Sequence, residues 1–203
     1  YMISHLLKKS TLAEQEFVCY DLEEIKYGTV IYNGAKSKNF LNEDWQIITL
    51  ERLFHNFFGE SLYKSMYRIP DHEERLHFLV QQVERMTELQ NFGVYMNKLL
   101  TIDAVFLNED RHMHNIAVLM NGKGDYAYCP IFDNGAGLLA DTTMDYPLTG
   151  DIYTLMEKVQ SKTICNAFDE QLDISESLYK MNLKFRFTKK DVTELLENAE
   201  GYS

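Results

Sequence analysis

The spacing of apolar positions changes period several times along this chain. Met2, Ile3, Leu6 and Leu7 recur at helical intervals up to Lys8-Lys9-Ser10, which predicts a short opening helix. Residues 17–20 and 27–32 are instead rich in β-branched and aromatic side chains, and Asn33-Gly34 is a strong turn signal, so at least two strands are expected. After a polar link at 36–39, Thr49 is placed to cap a helix that runs through Phe58 and stops at Gly59. Asp71, with Glu74 three residues on, opens the clearest helix, whose buried face is Leu76, Leu79, Val80, Val83 and Met86. A third helix is expected from Phe92 to Phe106, with Tyr95, Leu99, Ile102 and Phe106 on its apolar face. Asp103 is out of place within it and is read as a cap, a partner for Arg111 or a solvent-facing residue.

The periodicity then breaks into two polar knots. Residues 108–115 read Asn-Glu-Asp-Arg-His-Met-His-Asn, and 128–135 read Tyr-Cys-Pro-Ile-Phe-Asp-Asn-Gly. Between them lie an apolar run at 116–120 and a polar turn at 121–125, the pattern of a hairpin. If that hairpin folds back, the oxygen-bearing side chains of Asp110, Asn115 and Asp133 converge. The stretch 138–150 follows as a long loop, and a loop of that length beside a site suits a substrate or activation segment. Asp151 is placed to cap a helix bearing Ile152, Leu155, Met156 and Val159. A short alternating run at 183–187 precedes a last helix, capped by Thr188 with Asp191 and bearing Val192, Leu195 and Leu196. A small β-containing N-terminal portion is therefore followed by a mainly helical body.

Composition narrows the class. With 203 residues, 45% of them hydrophobic, the chain can bury a core as one domain or as two unequal lobes. It reads as soluble: no apolar run approaches the roughly 20 residues that span a bilayer, and no signal-like segment opens it. A net charge of −11 argues against a broad surface for nucleic acid, leaving open a local basic patch or a basic partner. Cys19, Cys129 and Cys165 form no CxxC pair, which fits a reducing cytoplasm better than a zinc or disulfide framework. Tyr1 stands before Met2, so the chain reads as a fragment, a processed product or a trimmed one.

The two knots suit magnesium-dependent phosphoryl transfer. Magnesium prefers hard oxygen donors and takes one or two carboxylates together with phosphate oxygens and water, a demand that Asn115 and Asp133 can meet. Asp110 is then free to accept the proton of an attacking hydroxyl. Other readings stand beside this one. The acids and amides form a capped turn and a hairpin end; or His112 and His114 are an HxH pair completed by Asp110 and Asp133 in a metal-dependent hydrolase, although a third His or a Cys in register is missing. Cys129 is either a small buried hydrophobe or a lone nucleophile without an evident base.

The motif Asn108-x-Asp110-Arg111-His112-x-x-Asn115, followed by Pro130-Ile-Phe-Asp133, resembles the catalytic and metal-binding motifs of the HipA-like kinase family. It is more loosely similar to the Asp-Arg-His-x-x-Asn signature of phosphatidylinositol kinases. The resemblance covers about residues 30–160 and includes the segment Ser37-Lys-Asn-Phe-Leu41. It implies an α+β, protein-kinase-like fold with a mainly helical large lobe at 42–203 and an incomplete small lobe and hinge at 1–41, the whole forming one compact unit. It implies ATP and Mg2+ as cofactors, Asp110 as catalytic base, Arg111 and His112 as braces of the catalytic loop, and Asn115 and Asp133 as nucleotide and metal ligands. A protein Ser or Thr hydroxyl would be the acceptor, and a small DNA-binding antitoxin the partner. One departure stands out. No GxGxxG occurs, and Lys8 and Lys9 lie upstream of the strands rather than on one, so the half that grips the nucleotide phosphates is not visible. A non-catalytic module derived from a kinase, and a lipid kinase, are the alternative readings.

Overall fold

The computed structural model describes residues 1–202. In chain order the first elements are α1 (Met2–Leu7), β1 (Tyr20–Tyr27), β2 (Val30–Ser37), β3 (Trp45–Thr49), α2 (Leu50–Phe58), α3 (Leu62–Tyr67) and α4 (His72–Thr87). They are followed by α5 (Phe92–Phe106), β4 (Ala117–Asn121), β5 (Tyr126–Tyr128), α6 (Ile152–Met156), α7 (Phe168–Tyr179) and α8 (Lys189–Asn198). The chain divides into two compact units. One joins Tyr1–Leu41, Pro130–Phe132 and Leu183–Ser203; the other joins Asn42–Cys129 and Asp133–Asn182. No helix among the described residues is long and apolar enough to cross a membrane.

In the first unit, β1 and β2 pair antiparallel, with Tyr27 opposite Val30. The turn between them is Gly28-Thr29, and Gly28 at φ +63° supplies the left-handed first position that a II′ hairpin turn requires. Asn33-Gly34 is not the turn: both residues lie inside β2, opposite Glu24 and Glu23. Residues 17–19 form no regular strand. Phe17 instead makes an isolated parallel bridge to Ile131, and Val18 N–H donates to the Ile131 carbonyl at 2.9 Å. Residues 183–202, read from sequence with the helical body, group here with the N-terminal segment. The joins are a Ser10–Phe185 bridge, a Thr11 N–H to Lys184 carbonyl bond and a Lys9–Asp191 ion pair of 3.4 Å. The expected run 183–187 is thus a single bridge, while α8 opens with the full Thr188–Asp191 capping box.

The second unit is built around α5. Phe92, Met96, Leu99, Leu100, Ile102 and Phe106 are all buried, and so are Asn97, Thr101 and Asp103, so this helix is enclosed almost all round rather than along one stripe. The caps of α2 and α4 are those read from sequence: Thr49 and Asp71 accept the N–H groups of Arg52 and Glu74, and Gly59 ends α2 at φ +70°. A three-stranded antiparallel sheet, in the order β3-β4-β5, carries the expected hairpin. The turn closes through Asn121, whose side-chain oxygen accepts the N–H groups of Lys123 and Asp125. Strand β3 and helices α3 and α7 had no counterpart in the sequence pattern. Helix α7 escapes an apolar-period search because two of its buried positions are polar: Gln171 takes the Ser161 hydroxyl, and Ser175 takes an amide hydrogen from Asn97.

At Gly93 on α5 an added Cβ would lie 2.2 Å from the ring of Tyr179 on α7. In an open helix Gly→Ala stabilises by about 1 kcal/mol. Here the overlap reverses the sign, and Gly93→Ala should lower stability by about 1–3 kcal/mol, as overpacking of a filled core does. Urea unfolding measures the difference, and a stabilised variant would show that the ring can move aside.

Candidate active site

Helix α5 delivers the chain into the first polar knot through a left-handed residue, Leu107 at φ +52°. The acid that was out of place in that helix proves to be the anchor of the loop. Asp103 has no exposure to solvent; its carboxylate accepts Nε and Nη2 of Arg111 at 3.0–3.2 Å and Nδ2 of Asn108 at 2.8 Å. Arg111 is equally enclosed. Burial pushes the Asp103 carboxyl upward against the pull of the guanidinium and the amide. Burial also opposes the Arg111 charge, but Asp103 beside it outweighs that and holds its pKa above normal. Because a guanidinium stays protonated in any protein setting, Asp103 serves as the anion that neutralises it.

Arg111 then reaches both knots. Its Nη1 donates to the Asn115 carbonyl at 3.1 Å, and its Nη2 donates to the side-chain oxygen of Asn134, the residue after Asp133. Its own carbonyl accepts the Thr163 hydroxyl at 2.7 Å. One buried guanidinium therefore fastens the backbone at 115 and the turn at 133–134 to the same group. Asn134 and Thr163 were not among the residues singled out from sequence. Asn134 sits in the second knot and is an amide beside an acid, a signal that was there to be read. Thr163 is 52 residues from its partner, and nothing local marks it.

Within the loop, Asn115 Nδ2 donates to the Asp110 carbonyl at 2.9 Å and leans on its carboxylate at 3.4 Å. That leaves Asn115 Oδ1 to meet a cation. In the same loop His112 Nδ1 accepts the His114 N–H at 3.3 Å, and His112 Nε2 lies 3.7 Å from the Asp110 carboxylate. Asp110 keeps an accessible carboxylate, its side chain 46% exposed. A cation faces it: Lys162 Nζ is 3.5 Å from Asp110 Oδ1. Asp133 is exposed and sits at φ +55°, a left-handed conformation that turns the chain sharply beside the clamped Asn134.

Asp110 opens on a cavity of about 500 Å3 whose walls include Glu109, Gly135, Asp141 and Lys162. The loop at 138–150 does border the site. Leu138 N–H donates to the Phe106 carbonyl, and the buried Tyr146 donates its hydroxyl to the Glu109 carboxylate. Tyr146 packs with Leu139, Leu155, Val159 and Phe168. Burial, and then the Glu109 hydrogen bond, push its phenol well above the usual range, so it stays a donor.

The competing chemistries find less support. Among the described residues, two trios gather their ligand atoms closely enough for one ion, His5–Cys19–Asp21 and His72–Cys165–Glu170, and neither contains His112 or His114. Cys129 is buried and its thiol is pushed up to about 12 by that burial, the state of a small hydrophobe rather than a nucleophile.

No family model matches this chain, and no curated protein sequence does. The crystal structure of the Helicobacter pylori proinflammatory kinase CtkA is similar over 100% of this chain and 75% of its own, with a TM-score of 0.60 and 17% sequence identity. At that identity the likeness shows the fold, a kinase-like α+β architecture.

Proposed function

We propose that this protein transfers the γ-phosphoryl group of ATP to a hydroxyl, with a protein Ser or Thr as acceptor and Mg2+ as the metal. The observation that supports this reading most is the Arg111 clamp. In a kinase-like fold, a single buried guanidinium holds the loop of Asp110 and Asn115 together with the turn of Asp133. In kinases the same division of labour is a base that accepts the hydroxyl proton and an amide–carboxylate pair at the metal.

The donor set fits magnesium. Asn115 offers an amide oxygen whose nitrogen is already engaged, and Asp133 offers an exposed carboxylate, both hard oxygen donors. Magnesium held by Asn115 and Asp133 would neutralise phosphate charge there. Asp110, half-exposed at the cavity wall, takes the proton of the attacking hydroxyl. Arg111 and His112 do not touch the reactants in this reading; they hold Asp110 and Asn115 at fixed separation, which converts binding into orientation.

Asp133→Ala should weaken MgATP binding by at least about tenfold, while Arg111 keeps its hydrogen bonds to Asp103, Asn115 and Asn134. Isothermal calorimetry reads this directly. Unchanged affinity for MgATP would remove Asp133 from the metal site. A second reading, a kinase-derived module that binds without transferring phosphate, is motivated by the missing GxGxxG sequence. It predicts that MgATP binds and that no phosphate reaches any acceptor.

A further inference from the structure

We infer that Lys162 is a catalytic residue of this site, a cation that contacts the phosphoryl group during transfer. This rests on the phosphoryl-transfer reading above. Two observations meet at this side chain. Its ammonium lies 3.5 Å from Asp110 Oδ1 and forms part of the wall of the same cavity. The second is the backbone that presents it. Lys162 is exposed, but its neighbours Ser161, Thr163 and Ile164 are buried and each is tied down. Ser161 donates to Gln171 at 2.7 Å, Thr163 donates to the Arg111 carbonyl at 2.7 Å, and the Ile164 carbonyl accepts a hydrogen bond from the buried Arg75.

An exposed ion pair contributes little to folding, so stability does not explain an ammonium set on so firmly held a segment. Preorganised charge does. A cation aimed at the place where negative charge develops stabilises the transition state without reorganising at the moment of reaction. The step balances as follows. Asp110 takes the hydroxyl proton, the hydroxyl oxygen bonds to the γ-phosphorus, and the bond from that phosphorus to the bridging oxygen breaks, its electron pair leaving with ADP. Lys162 keeps its protons throughout and donates hydrogen bonds to the phosphoryl oxygens in flight.

The test uses the full chain, as wild type, Lys162→Met and Lys162→Arg, with calorimetric titration of MgADP and of MgADP with aluminium fluoride, a mimic of the phosphoryl group in transfer. Lys162→Met should bind MgADP within about threefold of wild type and lose at least about tenfold of the tightening that aluminium fluoride brings, with Lys162→Arg retaining most of it. With casein as acceptor, kcat of Lys162→Met should fall about 100-fold with the KM for ATP little changed. If aluminium fluoride tightens binding equally in wild type and Lys162→Met, Lys162 does not contact the phosphoryl group, while the phosphoryl-transfer reading stands. If wild type binds no MgADP, that reading falls and the role of Lys162 falls with it.

Discussion

Asp110→Asn should abolish nearly all phosphoryl transfer, lowering kcat by about 100- to 10,000-fold, the usual contribution of a positioned general base. The substitution keeps the shape of the side chain and an oxygen that can accept from Asn115 Nδ2, so the loop should stay folded. What it removes is the capacity to take a proton. MgATP affinity should be nearly unchanged, because the metal ligands in this reading are Asn115 and Asp133. Steady-state transfer to casein, together with calorimetry on the same protein, separates loss of the base from loss of binding. Near-wild-type turnover would take the base assignment away from Asp110.

The second large effect concerns stability. Asp103→Leu leaves the Arg111 guanidinium charged, unexposed and without its carboxylate, and loss of one partner from a buried ion pair costs about 3–5 kcal/mol. The effect should reach the site as well, because the same guanidinium holds Asn115 and Asn134. Replacing both partners, Asp103→Leu with Arg111→Met, should recover much of the stability, since the penalty lies in the orphaned charge rather than in the absence of the pair. It should not recover activity, because methionine cannot donate to the Asn115 carbonyl or to the Asn134 amide. Urea unfolding of the single and double variants checks this. A loss below about 1 kcal/mol in Asp103→Leu would mean that the pair is solvated in a way its burial does not show.

The parts legible in the sequence are those governed by neighbours in the chain. Caps at Thr49, Asp71, Asp151 and Thr188 were readable because a side chain meets a backbone N–H only two or three residues away. The hairpin between the two polar knots was readable for the same reason. The turn at Gly28-Thr29 was not, although it too is local. Asn33-Gly34 is the stronger dipeptide, and only the pairing of Tyr27 with Val30 shows which turn the strands select. Helix α7 was hidden because its buried side includes Gln171 and Ser175, which make hydrogen bonds where the pattern looks for apolar carbon.

The candidate site divides along the same line. Asp110, Asn115 and Asp133 were named from residue type and spacing, since a base and hard oxygen donors for a metal have to be acids and amides. Asp103 stood out as an acid in an apolar helix, with Arg111 as one of three readings for it. Folding selects among these, bringing Arg111 to 3.0 Å with both side chains closed to solvent. Lys162 and Thr163 were beyond reach, being 52 residues from the atoms they meet. The chemistry of each side chain is thus a property of the sequence. Which charges face one another, and which are stripped of solvent, depends on contacts between distant segments, and those exist once the core has packed.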